Sequence, residues 1–133
     1  MKRTKHSLIF TSITSIILLL SSIIFTNTAY AERYYPKEGA GKVSWYGSAH
    51  QGKRTANGEV FDMNKLTAAS NIIPMGKRVK MTCTTTGKSV VVKINDTGGF
   101  SKYGRTFDLS KAAFNAISDV NKGLTHVRYT VLD

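Results

Sequence analysis

The stretch Arg78-Val79-Lys80-Met81-Thr82-Cys83-Thr84-Thr85-Thr86-Gly87-Lys88-Ser89-Val90-Val91-Val92-Lys93-Ile94 reads as a β-hairpin. Val79, Met81 and Cys83 alternate with Arg78, Lys80 and Thr82, the period of two with which a strand sends successive side chains to opposite faces. Residues 84–87 are a polar turn ending in glycine, and residues 89–94 are a β-branched return strand, so the loop is four residues long. Downstream, residues 95–104 form a polar, glycine-containing loop. Asp108-Leu109-Ser110 then opens a helix, where Asp108 or Ser110 can accept a bond from an otherwise unpaired backbone N–H. Ala112, Ala113, Ala116 and Ile117 follow at helical spacing, and residues 119–123 end the helix. Val127, Tyr129 and Val131 alternate as a final strand. Upstream, residues 42–46 are a short strand, 47–58 a polar loop with three glycines, and 66–69 a short extended piece stopped near Pro74-Met75-Gly76. Many short strands, one short helix and two long glycine-containing loops predict a small β-barrel. Loops of that length in a compact domain tend to be functional.

The ends and the composition limit what such a barrel can be. Lys2, Arg3 and Lys5 precede an apolar run, residues 8–25, broken only by Ser and Thr, and Thr28-Ala29-Tyr30-Ala31 carries small residues where signal peptidase reads. This predicts a signal peptide over 1–31, cleaved after Ala31. The run is at the short end for a membrane span, which wants ~20 residues. No cysteine lies near the cleavage point, so a lipoprotein anchor is not expected. The domain reading is therefore a leader (1–31), a lead-in segment (32–40), where Pro36, Gly39 and the adjoining Gly41 read as loose, flexible chain, and one barrel domain (41–133). With 19 Lys and Arg against 8 Asp and Glu the chain carries a net charge of +11. Such a charge points to anionic partners, namely wall carboxylates, teichoic or lipid phosphates, or a membrane face; the plainer reading is that it keeps a small domain soluble. Nucleic acid does not suit an exported protein. Cys83, the only cysteine, cannot form an intrachain disulfide and reads as a small apolar side chain at a strand end. No Cys/His cluster has zinc spacing, so neither a metal nor another cofactor is expected.

The acids narrow the chemistry because there are only eight: Glu32, Glu38, Glu59, Asp62, Asp96, Asp108, Asp119 and Asp133. Glu32, Glu38 and Asp133 lie near the ends, Asp108 is accounted for as a helix cap, and Asp119 as a helix-end residue. Glu59 closes a Thr-Ala-Asn-Gly-Glu turn. Asp96 follows an apolar strand directly, and a carboxyl where a strand leaves the core can be half-buried, which raises its pKa and lets it donate a proton near neutral pH. The plainer readings are a turn aspartate bonding its own backbone and a solvated loop glutamate. Trp45-Tyr46 beside the first loop offers a face for a sugar ring, although alternation puts at least one of the two into core packing. No serine sits in a nucleophile-elbow pattern.

Five blocks in order closely resemble the RlpA family of peptidoglycan lytic transglycosylases: Ser44-Trp45-Tyr46-Gly47, Thr55-Ala56-Asn57-Gly58-Glu59-Val60-Phe61-Asp62, Leu66-Thr67-Ala68-Ala69, Val90-Val91-Val92-Lys93-Ile94-Asn95-Asp96 and Phe107-Asp108-Leu109-Ser110. The resemblance runs from about Gly41 to Leu132. It implies a mostly β fold, a six-stranded double-psi β-barrel with one or two short helices. It implies cleavage of the MurNAc–GlcNAc bond of peptidoglycan glycan strands, with a preference for naked glycan, to leave 1,6-anhydro-MurNAc ends. It also implies Asp96 as the catalytic acid/base, Glu59 as the second polar member of the groove, and Tyr46, Thr55, Asn57, Ser70 and Asn95 as substrate-binding residues. There are departures. Ser70 stands where the family usually has histidine, which bears on catalytic competence; His50-Gln51-Gly52 replaces Phe-His-Gly; and Thr97-Gly98-Gly99 replaces Arg-Gly-Pro after the Asn-Asp pair. The chain stops at Asp133, directly after the barrel, so a glycan-binding SPOR domain and septal targeting are not expected. The expectation is an exported monomer of the periplasm or cell envelope. The alternative function is a non-catalytic, expansin-like module that binds or loosens the wall; a barrel that binds a protein of the wall machinery is the third.

Overall fold

The structure, a computed structural model, describes residues 34–133. The leader expected over 1–31, its cleavage point and the start of the lead-in segment lie outside the described residues. Among the described residues six strands, β1 (Glu38–Tyr46), β2 (Thr67–Ser70), β3 (Arg78–Cys83), β4 (Ser89–Asp96), β5 (Arg105–Ser110) and β6 (Leu124–Val131), accompany one α-helix, α1 (Lys111–Ile117), and three short 3-10 turns. The strands close into a barrel in the order β1-β5-β2-β4-β3-β6. β1 runs parallel to β5 and β2 parallel to β4, and every other neighbouring pair is antiparallel.

The hairpin forms as its alternation predicts. Val79 pairs with Val92 and Met81 with Val90, all four pointing into the barrel, while Lys80 and Val91 face outward. Cys83 ends β3 fully buried, its sulfur 3.3 Å from Thr125 Oγ1. Phe107, Leu109, Val43, Ile94, Val127 and the inner face of α1 (Ala113, Phe114, Ile117) complete one core. Each large apolar side chain there contributes about 1.5–3 kcal/mol by leaving water.

Two elements differ from expectation. β1 begins at Glu38, inside the segment assigned as a lead-in. Gly39 and Gly41 are places of close approach rather than flexible joints: a Cβ on Gly41 would sit 2.1 Å from Thr106 Oγ1, and one on Gly39 would sit 2.8 Å from the Tyr129 hydroxyl. The second difference is β5. Asp108 and Leu109 belong to a strand with Phe107 and Leu109 in the core, and Ser110 alone is the helix cap, its Oγ accepting from Ala113 N at 3.2 Å. A helix N-cap is itself extended, so strand β5 passes into α1 with no linker between them.

Candidate active site

One row of residues crosses four neighbouring strands. Ser44 on β1 pairs with Asp108 on β5; Asp108 pairs with Ala69 on β2; Ala69 pairs with Asp96 on β4. Asp96 joins that row because the β2–β4 register slips between Ala68, opposite Ile94, and Ala69, opposite Asp96, leaving Asn95 as an extra residue. A bulge of this kind re-aims the side chain that follows it. Asp96 and Asp108 therefore flank the small Ala69, with backbones two strand spacings, about 10 Å, apart. Both line one pocket, together with Tyr46, His50 and an arc from the second loop that includes Phe100 and Tyr103.

The two carboxyls are held differently. Asp96 Oδ1 accepts from the backbone N–H groups of Ala56 and Thr97, both at 2.9 Å. These bonds fix the plane of the carboxyl and leave Oδ2 for the pocket. Asp108 keeps 17% side-chain exposure. Its Oδ1 accepts from Ser44 Oγ at 2.6 Å and lies 3.7 Å from Arg105 Nη1, which also donates to Ser44 Oγ. Burial pushes the Asp108 carboxyl above the ordinary aspartate range; Ser44, Arg105 and His50 oppose the rise, and the charge of Asp96 adds to it. Above them, the Tyr46 hydroxyl is buried without a partner at hydrogen-bonding geometry. Burial first, and then the charges of Asp96 and Asp108, hold its proton on far above the usual phenol range. Its ring stacks on Phe61 (4.5 Å, 21°) and meets the edge of His50 at 5.4 Å.

Glu59 lies elsewhere, in a neighbouring depression with Asp62, Lys65, Thr67, Lys93 and Asn95. Its exposed carboxylate is ion-paired with Lys93 and accepts from Asn57 Nδ2 at 2.9 Å and Asn95 Nδ2 at 3.4 Å. The Lys93 hydrogen bond, then that of Asn57, holds it below the ordinary glutamate range. Thr55 and Asn57 build the turn that anchors Asp96: Thr55 Oγ1 donates to Asn57 Oδ1 at 2.7 Å, and Asn57 N donates to Asn95 O at 3.3 Å. Asn95 is 2% exposed with an unpartnered Oδ1. Ser70 is buried and lines neither depression; its hydroxyl accepts from Ile72 N and Ile73 N at 3.2 and 3.0 Å, and Ala69 is the member of β2 that faces the pocket. Trp45 packs against the core and donates its indole N–H to Val120 O at 2.9 Å.

Of the expected site residues, then, Asp96 and Tyr46 meet in the pocket. Glu59 and Asn95 share the adjoining depression, Thr55 and Asn57 support Asp96, and Ser70 stands apart. Asp108 was missed. Its helix-cap assignment is incorrect, because it sits two residues before the cap. The signal that could have found it is the alternation Phe107-Asp108-Leu109, a strand's period of two that sends the aspartate to the face opposite its apolar neighbours. Among the described residues, no group of three or more His, Cys, Asp or Glu side chains is placed to hold a metal ion.

The family described as lytic transglycolase matches residues 38–129. The endolytic peptidoglycan transglycosylase RlpA of Neisseria meningitidis is 42% identical over 103 residues, covering 73% of this chain and 43% of the relative. That of Vibrio cholerae is 46% identical over 93 residues, covering 70% and 35%. The chain thus spans less than half the length of these relatives. Among solved structures, a Streptomyces papain inhibitor superposes with a TM-score of 0.59 at 19% identity, over 74% of this chain and 97% of that one. An apo expansin of Clavibacter michiganensis superposes with a TM-score of 0.57 at 24% identity, over 72% and 50%. These two likenesses concern the fold alone.

Proposed function

This chain belongs to the RlpA family of double-psi β-barrel lytic transglycosylases, and on that premise we propose that it cleaves the MurNAc–GlcNAc bond of peptidoglycan glycan strands and leaves 1,6-anhydro-MurNAc ends. The observation that carries the reading is the pair of carboxyls, Asp96 and Asp108, facing one pocket across Ala69. Burial, with a smaller contribution from the charge of Asp96, holds the Asp108 carboxyl above the ordinary aspartate range. A carboxyl that holds its proton to higher pH than a solvated one suits a pocket where a leaving oxygen must be protonated.

Asp96 is the acid/base in this proposal. Its Oδ2 passes a proton to the glycosidic oxygen as the bond from muramic C1 breaks. The muramic 6-hydroxyl then bonds to C1 and returns its proton to Asp96, so no water is consumed. Hydrolysis by a carboxylate pair would instead need the second group to activate water or attack C1. Glu59, charged and held by Lys93, serves as a positioning residue: it fixes Asn57, which closes the turn whose Ala56 N–H holds Asp96. A wall substrate requires export, for which the leader read at 1–31 is the route we propose.

Mass spectrometry of purified sacculi, intact and amidase-stripped, tests the reading. Anhydromuramic products that disappear with Asp96→Asn are expected. Reducing-end products would mean hydrolysis. No product with wall binding retained would favour the non-catalytic, expansin-like module, which the fold shared with expansin makes the second reading.

A further inference from the structure

Beyond Arg105 and Tyr103, which both border the carboxyl pocket, a second trough continues along the outer face of β1. It is lined by Lys42, Ser44, Trp45, Lys122 and Leu124 together with those two shared residues. Three of its side chains are cations and none is a carboxylate. Lys42 stands opposite Arg105 in the β1–β5 register, and like charges facing each other across strands destabilise a sheet. Arg105 is partly compensated by Asp108. Lys42 and Lys122 take part in no ion pair among the described residues. Meanwhile Tyr103 and Leu124 are 66% and 48% exposed, and the Trp45 indole is pinned by its bond to Val120 O. Apolar ring faces beside unpaired ammonium groups suit a sugar that carries an anion.

We propose that this trough is a subsite for the lactyl carboxylate of a muramic residue adjoining the cleaved bond, with Lys42 and Lys122 as its specificity-determining residues. The inference rests on the glycan reading above. The lactyl carboxyl is a free anion in a naked strand and a neutral amide where a stem peptide is attached. Tyr46, at the reacting pocket, and Lys42 are four residues apart on one strand, about 13 Å at the usual rise, so the trough faces a neighbouring sugar rather than the reacting one. The subsite therefore selects for stripped strands by charge, without any steric block.

The test uses amidase-stripped glycan strands, either untreated or with their carboxyls converted to methylamides. Binding is measured for the wild-type protein, for Lys42→Gln/Lys122→Gln and for Lys88→Gln as a control in the β3–β4 turn, a lysine that does not line the trough. Untreated strands should bind the wild type about tenfold more tightly than amidated ones, and the gap should shrink with added salt. The double variant should reduce the gap to about twofold or less, and Lys88→Gln should preserve it. Equal binding of the two strands by the wild type, or a gap that survives in the double variant, would overturn the subsite. So would a teichoic phosphate polymer that outcompetes the untreated strand at the same two lysines. Anhydro products are scored separately: the gap without products upholds the subsite and removes the transglycosylase reading, and products without the gap do the reverse.

Discussion

The carboxyl pocket and the Glu59 depression lie on either side of one turn, residues 55–59, and Asp108 in the first and Glu59 in the second are prepared for opposite tasks. Asp108 is mostly buried, and desolvation pushes its carboxyl upward. Glu59 is open to solvent and paired with Lys93, which holds its carboxyl downward. A group that must give up a proton near neutral pH needs the first environment; a group that must stay charged and orient its neighbours needs the second. Asp96 belongs with Asp108 because one slipped residue in β4 turns it to that face, while Asn95, the residue before it, is left facing Glu59. The identity of the residue says little; the side of the strand on which it emerges decides its chemistry.

That contrast can be broken by variants of decreasing severity. Asp96→Asn should remove turnover by about 10²–10⁴-fold, the usual contribution of a general acid/base. Its melting temperature should stay close to wild type, since an amide oxygen still accepts from Ala56 N and Thr97 N; residual activity above a tenth of wild type would reassign the acid. Asp108→Asn should cost about ten- to a hundredfold in kcat/KM and move the limb on which activity falls with rising pH to lower pH, because the raised Asp108 carboxyl is no longer there to carry it. A pH profile checks both. Glu59→Gln should change kcat/KM by less than about tenfold and leave that limb in place, since an exposed ion pair is worth only about 0–1 kcal/mol. A shift of the limb in the Glu59 variant would make it a proton carrier and erase the contrast.

Stability supplies a weaker, independent measure of the same difference. The folded pKa of Asp108 lies above its unfolded value, so its contribution is fully present below the unfolded value, ~3.9, and is lost as pH rises through the raised folded value. Glu59 has the opposite sign: its contribution is present above its unfolded value and is lost as pH falls through the lowered one. Urea titrations across this range should show Asp108→Asn gaining on the wild type as pH rises. Glu59→Gln should lose against the wild type over a lower span, as pH rises from the lowered folded value to the unfolded one, ~4.3, by a smaller amount because Glu59 is solvent-screened.

Where periodicity was uninterrupted, the elements could be read directly. Val79, Met81, Val90 and Val92 alternate cleanly, and their hairpin lies within a residue or two of the expected bounds. Periodicity misled where two elements meet without a linker: Phe107-Asp108-Leu109-Ser110 carries both the end of a strand and the cap of a helix, and reading the second concealed the first. Gly39 and Gly41 misled for a related reason. Glycine signals both flexibility and close approach, and only the positions of Thr106 and Tyr129 show that close approach applies here.

The sequence by itself determined the hairpin and a small β-barrel from alternation, and its ordered motif blocks carried the resemblance that implied six strands, because both are local properties that survive in one dimension. It also singled out Asp96 and Tyr46, which stand at the ends of β4 and β1. Only the tertiary structure decided that Asp108 joins Asp96, that Glu59 and Ser70 do not, and that Lys42, Arg105 and Lys122 gather along one trough. Those groupings depend on strand order and on a single slipped register, and both are set by packing between segments far apart in the chain.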